Sequence, residues 1–207
     1  MLIRKHDLVV LQLTGPHAGE ALHIYNERGS GPGQLEDPED LAIDGAGRVF
    51  VTDEDNRRIH VLDEQLHWER SWDVPFDPEA IGVFEDRVYV SYAKAGMIDV
   101  FDMSGVAVLR IGDGRSGRDG LGQPDSVCFS PDGELYVVDQ EYDRIMIFDP
   151  ESGRRLRTFG DQGSEPGEFQ ELEDLLVTPD GLLIVGDGDN GRVQILNPDG
   201  SVVRVID

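Results

Sequence analysis

A pattern that opens at Pro38 returns at Pro124. Pro38-Glu39-Asp40-Leu41-Ala42-Ile43 leads to Arg48-Val49-Phe50-Val51-Thr52-Asp53 and then to Arg58-Ile59-His60-Val61-Leu62. Pro124-Asp125-Ser126-Val127-Cys128-Phe129 leads to Leu135-Tyr136-Val137-Val138-Asp139 and Arg144-Ile145-Met146-Ile147-Phe148. The step from proline to closing aspartate is 15 positions in both copies. A third copy runs from Leu172-Glu173-Asp174-Leu175 through Leu183-Ile184-Val185-Gly186-Asp187 to Arg192-Val193-Gln194-Ile195-Leu196. A weaker one runs from Pro78-Glu79-Ala80-Ile81 through Val88-Tyr89-Val90-Ser91-Tyr92 to Met97-Ile98-Asp99-Val100-Phe101. Each copy closes with one more short apolar run, such as Arg155-Leu156-Arg157-Thr158-Phe159.

Each unit is therefore four runs rich in β-branched and aromatic residues. Turn signals such as Pro131-Asp132-Gly133, Pro179-Asp180-Gly181 and Pro198-Asp199-Gly200 divide them. No run has the length or the 3.6-residue period of a helix. Four short antiparallel strands repeated every 40–48 residues or so make a propeller blade. The spacing predicts an all-β β-propeller with complete blades over 36–73, 77–112, 122–160 and 170–207. Residues 1–28 read as half of another blade, so 1–207 is one propeller domain. A ring opened in this way exposes strand edges and an apolar blade face. A five-bladed ring closing on a short blade, a fragment of a six-bladed ring, and self-association through the open edges are all expectations of this reading.

The sequence Gly29-Ser30-Gly31-Pro32-Gly33-Gln34-Leu35, followed by an acidic inner strand, by Val51-Thr52-Asp53 and by Asp55-Asn56-Arg57-Arg58-Ile59, resembles the NHL repeat. Residues 122–160 and 160–197 carry the same pattern, and residues 78–102 carry it poorly because Tyr92 and Met97 replace the Asp and Arg. The resemblance implies a propeller that serves as a platform for a protein, peptide or other ligand. Related propellers include calcium-dependent phytases and lactonases, so the resemblance also admits a hydrolase. Fold alone does not choose between these activities.

Charge narrows the partners. The chain has 42 acidic and 18 basic residues and a formal net charge of −24. Such a surface repels nucleic acid and anionic membrane. No stretch is long and apolar enough to span a bilayer, and Met1–Asp7 lacks a signal-peptide core, so a soluble chain is expected. The single cysteine, Cys128, excludes an internal disulfide and reads as a buried structural residue.

Two constellations are candidate sites. Asp53 with Arg58, Asp139 with Arg144, and Asp187 with Arg192 each span five positions across a tight turn. In the weak second blade both partners are absent together, so each pair acts as one device. It either locks the turn or presents Arg58, Arg144 and Arg192 to a ligand. The other constellation is Glu39, Glu79, Asp125 and Glu173, each read as the second position of an inner strand, with Asp40 and Asp174 beside two of them. Inner strands line the channel of a propeller, so these carboxylates form a ring at its mouth. They make either a solvated acidic channel or a site for a hard cation such as Ca2+. In the hydrolase reading Asp53, Glu54, Asp139 and Glu141 extend that site. None of the five histidines lies on an inner strand, and no nucleophile–base pair is legible, so no catalytic residue is assigned. Trp68 and Trp72 read as inter-blade packing.

Overall fold

The structure is a computed structural model that describes residues 2–4, 7–11, 21–25, 27–114, 117 and 119–207. The described residues form nineteen strands: β1 Leu2–Arg4, β2 Asp7–Leu11, β3 Ala21–Tyr25, β4 Pro38–Ile43, β5 Val49–Asp53, β6 Arg58–Leu62, β7 Trp68–Asp73, β8 Ile81–Phe84, β9 Arg87–Tyr92, β10 Met97–Asp102, β11 Ala107–Ile111, β12 Pro124–Phe129, β13 Leu135–Asp139, β14 Arg144–Phe148, β15 Arg155–Phe159, β16 Leu172–Val177, β17 Leu183–Asp187, β18 Arg192–Leu196 and β19 Val202–Ile206. They form four four-stranded sheets, β4-β5-β6-β7, β8-β9-β10-β11, β12-β13-β14-β15 and β16-β17-β18-β19, and one three-stranded sheet, β1-β2-β3. The chain is a β-propeller of antiparallel blades. It divides into two compact units, Met1–Val83 and Phe84–Asp207, which are described one at a time.

The blades share a register. In three of them the first residue of the inner strand pairs with the Asp that ends the second: Pro38 with Asp53, Pro124 with Asp139, Leu172 with Asp187. That Asp in turn faces the Arg opening the third strand: Asp53 with Arg58, Asp139 with Arg144, Asp187 with Arg192. A bulge follows early in each of these inner strands, where a residue steps out of the ladder. The hairpins between strands close on Asp side chains. Asp44 accepts the N–H groups of Ala46 and Arg48, and Asp63 those of Gln65 and His67. Asp102 does the same for Ser104 and Val106. Part of the acidity of this chain is turn chemistry repeated blade after blade.

Burial follows the blade order. Middle strands β5, β6, β13 and β14 are buried at every position. Within the second unit, Tyr136, Val138, Ile145 and Ile147 of one blade meet Phe169, Leu172, Leu175, Leu183, Val185 and Leu196 of the next in a single apolar cluster. Cys128 is half-buried and packs against that cluster, and burial pushes its thiol up to about 12. Trp72 lies edge-on to Phe50 at 6.3 Å, a contact within its own blade rather than the expected one between blades, and Trp68 is 39% exposed. No helix among the described residues is long and apolar enough to cross a membrane.

Candidate functional site

The Asp–Arg pairs come first because they position everything else. Asp53 is fully buried. Its Oδ1 accepts the N–H groups of Glu36 at 2.9 Å and Asp37 at 3.3 Å, and its Oδ2 accepts Asn56 Nδ2 and Arg58 Nε, each at 2.9 Å. Arg58 then donates to the carbonyls of Ser30 and Gln34. Asp139 accepts Gln123 N–H at 2.9 Å and Arg144 Nε at 2.8 Å, and Arg144 donates to Gly120 O at 2.7 Å. Asp187 accepts Gln170 N–H at 2.8 Å and Arg192 Nε at 2.6 Å, and Arg192 donates to the carbonyls of Ser164, Glu165 and Glu168. The carbonyls of Gln34, Gly120 and Glu168 each precede a buried apolar plug, Leu35, Leu121 or Phe169. Each pair thus clamps the linker that enters its blade and seats the plug. Arg58 and Arg144 are themselves buried, with their donors turned to the chain's own carbonyls.

The clamp fixes charge as well as shape. Burial pulls the Asp53 carboxyl upward, but the adjacent His60 ring, Asn56, the Glu36 N–H and Arg58 outweigh it and hold Asp53 down at about 2. His60 Nε2 stands 3.3 Å from Asp53 Oδ2 in a fully buried position, well inside the blade. At Asp187 burial is likewise outweighed, by Arg192, the Gln170 N–H, Asn190 and Gln194, and the carboxyl lies below its ordinary value. Asp53 and Asp139, read from sequence as an extension of a cation site, are enclosed in these networks.

The second sheet replaces the clamp. Tyr92 occupies the Asp position, and Asp99 on β10 faces Arg110 on β11 in register. Arg110 grips Asp99 through two bonds of 2.6 and 2.8 Å. Burial and then the Asp99 carboxylate raise the Tyr92 hydroxyl above its ordinary value. This trio was not legible beforehand, because its members sit on three different strands and no other copy shows them. Direct cross-strand opposition of Asp99 and Arg110 is the signal that could have found it.

The inner-strand carboxylates lie at the blade ends that the clamps hold. Glu39, Asp125 and Glu173 are the second residues of β4, β12 and β16, as the repeat implies. Glu79 is not. The ladder of its sheet begins only at Ile81, and Glu79 sits in the preceding segment, where its carbonyl accepts Thr52 Oγ1 at 3.3 Å. The short connection there carries no clamp to draw the chain in, whereas Pro38 and Pro124 at the same position pair with the clamp residues Asp53 and Asp139.

In the first unit Glu39 joins Asp37 and Glu54, whose carboxylate oxygens lie within 4.8 Å of one another. Asp40 braces the backbone instead: its oxygens accept the N–H groups of Leu41 at 2.7 Å and Ile81 at 2.9 Å. In the second unit Asp125 is half-buried, and burial, Glu173 and Asp174 raise its carboxyl above the ordinary range. Asp174 accepts Ser126 Oγ and the Leu175 N–H, each at 2.8 Å. Glu171 shares a hydrogen bond with Asp189 and feels Glu173, and it too is held above its ordinary value. Asp37, Glu171 and Asp189 escaped the sequence reading. The column holding Asp37 and Glu171 carries Gln123 in the third blade, and Asp189 lies in a hairpin.

Known proteins place this architecture. A family model described as a 6-bladed beta-propeller matches residues 118–192. NHL repeat-containing protein 3 of Homo sapiens is 31% identical over 80 residues, which is 37% of this chain and 23% of that protein. The chain therefore spans less than a quarter of that relative. Kuenenia stuttgartiensis hydrazine synthase superposes with a TM-score of 0.67 at 18% identity, covering 82% of this chain and 48% of that one. A virginiamycin B lyase from Staphylococcus aureus gives 0.64 at 13% identity, covering 80% and 54%. At such identities these two share the fold alone. Repeat, register and relatives agree on the fold: this chain is a β-propeller, and its repeats are similar to those of NHL repeat-containing protein 3.

Proposed function

We propose that the chain is a binding platform that offers the acidic ends of its inner strands to a positively charged segment of a protein or peptide. One observation carries this reading. Asp125 is held against Glu173 and Asp174 with its carboxyl raised, and Glu171 is held against Asp189 in the same way. Carboxylates kept this close repel, and a cation set among them relieves the repulsion. A chain of net charge −24 also draws cationic partners by long-range attraction. The buried clamps make the scaffold beneath rigid, which favours recognition over conformational chemistry.

The test uses a lysine- and arginine-rich peptide and its glutamate-rich counterpart, followed by fluorescence anisotropy at two salt concentrations. The basic peptide binds and weakens as salt rises, and the acidic peptide does not bind. Asp125→Asn with Glu173→Gln weakens binding by roughly tenfold, the size of loss that removal of close charge pairs produces. Binding that ignores both salt and these substitutions would end the proposal.

A second reading rests on Asp37, Glu39 and Glu54. Three carboxylates within 4.8 Å suit Ca2+, which takes oxygen ligands in loose geometry. It is also the reading that would support a phytase-like or lactonase-like hydrolase, with Asp40 and Glu79 as further carboxylates of the first unit and Asp125, Glu173 and Asp174 as a separate group in the second. Asp40 and Asp174 would then have to share oxygens already engaged by N–H and hydroxyl donors. Thermal unfolding in chelator and then in calcium separates the readings. A midpoint raised by calcium, and no longer raised after Glu39→Gln, favours the metal. A flat response leaves the platform.

A further inference from the structure

The hairpin that closes the last clamp carries a dipeptide found once in this chain. Four asparagines occur, and they are followed by Glu27, Arg57, Gly191 and Pro198. Only Asn190 precedes a glycine. A backbone nitrogen attacks the side-chain amide before it most readily when it belongs to glycine, which has no Cβ to obstruct the approach. Packing does not demand this glycine: a Cβ on Gly191 would meet nothing within 4 Å. Its φ of +62° favours glycine, yet Arg57 holds the same hairpin position of the first full blade at +50°. Asn56 and Asn190 are thus one clamp residue in two chemical settings.

Asn190 is built into its clamp. Its Nδ2 donates to Asp187 Oδ1 and to Gly163 O, each at 2.9 Å. Asp187 is buried and takes its other donors from the Gln170 N–H, Arg192 and Gln194. The Gly191 N–H is turned to Gly188 O at 2.9 Å. Both reacting groups are therefore held by other bonds while the hairpin is closed. Gly191 itself is exposed, so water and base reach the turn whenever it opens.

We propose that Asn190 is a site of spontaneous deamidation and that its conversion opens the last clamp. The Gly191 nitrogen gives its proton to base and bonds to Asn190 Cγ. The Cγ–Nδ2 bond breaks, and the side-chain nitrogen leaves as ammonia with a proton from water. The cyclic imide takes up one water at either carbonyl, giving aspartate or its isomer with a lengthened backbone. No oxidant, metal or second substrate is required. A carboxylate at position 190 faces the Asp187 carboxylate and the Gly163 carbonyl, where two donated protons had been. Those groups repel, and none of them can donate. The isomer also adds a main-chain carbon to a turn whose register pairs Asp187 with Arg192. Either product frees the linker at Gly163. The clamp of the first full blade, where Asn56 makes the equivalent bonds to Asp53 and Gly29 O, stays closed.

The experiment incubates the folded chain at mildly alkaline pH in water enriched in heavy oxygen and maps its peptides by mass spectrometry. Asn190 takes up label ahead of Asn26, Asn56 and Asn197. The rate rises about tenfold or more in denaturant, because attack waits on opening of the hairpin. Gly191→Arg, which copies the Asn56-Arg57 pair, folds and takes up no label at position 190. Asn190→Asp lowers the thermal midpoint by about 2–4 °C, the shift for loss of a typical hydrogen bond in a chain of this length. Amides of the 160–171 linker exchange faster in it. The incubated parent drifts toward the same midpoint and the same exchange, which keeps the test open should Asn190→Asp not fold, and incubated Gly191→Arg does not drift. Three results overturn the proposal: no conversion of Asn190 in the folded chain, conversion of Asn56 as fast as Asn190 or at a rate indifferent to denaturant, and a converted chain that melts and exchanges like the parent.

Discussion

The blades entered by a long linker differ from the blade entered by a short one. Residues 26–37, 112–123 and 160–171 separate one sheet from the next in three places, and only 74–80 in the fourth. Each long linker ends in a buried plug held by an Asp–Arg clamp, whereas the short one leads to Tyr92, Asp99 and Arg110. The difference explains why Asp and Arg vanish together in one copy of the repeat. The pair exists to hold linker backbone, and where little linker exists a buried ion pair has no carbonyls to serve. A buried Arg and Asp recover their desolvation only when their remaining hydrogen-bonding capacity is filled. The linker carbonyls and N–H groups fill it here.

The largest effect expected from this comparison is at Arg144. Arg144→Ala leaves the Asp139 carboxylate buried without its partner and releases the Gly120 carbonyl from its donor. The loss should be about 3–5 kcal/mol in chemical denaturation, the range for breaking a buried pair. Arg110→Ala, whose side chain is 47% exposed, should cost clearly less, because water reaches Asp99 once the guanidinium is gone. Equal losses at the two sites would show that the clamp is no more than an ordinary ion pair.

Moving the clamp into the unclamped blade is the next test. Tyr92→Asp with Met97→Arg recreates the pair at the right spacing but without a glycine-rich linker to receive the arginine. The double variant should lose about 2 kcal/mol or more, since the new charges enter a buried place with unfilled hydrogen-bonding capacity. Splicing residues 26–37 in place of 74–80 in the same variant should restore part of that loss. A grafted pair that stabilises the chain unaided would break the link between clamp and linker.

How far the sequence could be read follows the same division. The repeat exposed the blades because alternating apolar runs and Asp-Gly turns are local signals, and every copy repeats them. The five-residue spacing of Asp53 and Arg58 was equally plain. Its purpose was not, because the Ser30 and Gln34 carbonyls lie 28 and 24 residues upstream and any residue type can supply a carbonyl. Glu39, Asp125 and Glu173 were legible as a column of the repeat, and Glu79 was misplaced because its copy departs from the template. Asp37, Glu171 and Asp189 were hidden because their proximity depends on how the clamp folds the linker end back over the turn.

Acid titration sharpens the contrast between the carboxylates inside the clamps and those at the inner-strand ends. Asp53 titrates near 2 in the folded chain and near 3.9 when unfolded, so the unfolded state binds its proton first as pH falls. Its contribution, about 2–3 kcal/mol by that difference, is fully present above about pH 5 and is lost progressively as pH falls through 2. Asp125 and Glu171 have the opposite sign. Their folded values lie above the unfolded ones, so the folded state binds protons first and gains stability as pH falls from neutrality toward 4 or thereabouts. The two signs together predict a stability curve that rises slightly on mild acidification and then drops. Asp125→Asn removes part of the rise and adds a few tenths of a kcal/mol at neutral pH, because a neutral amide no longer repels Glu173 and Asp174. Asp53→Asn removes part of the drop. A curve that falls steadily from neutral pH, unaltered by Asp125→Asn, would mean that the inner-strand carboxylates do not repel one another and would leave a cationic partner with no strain to relieve.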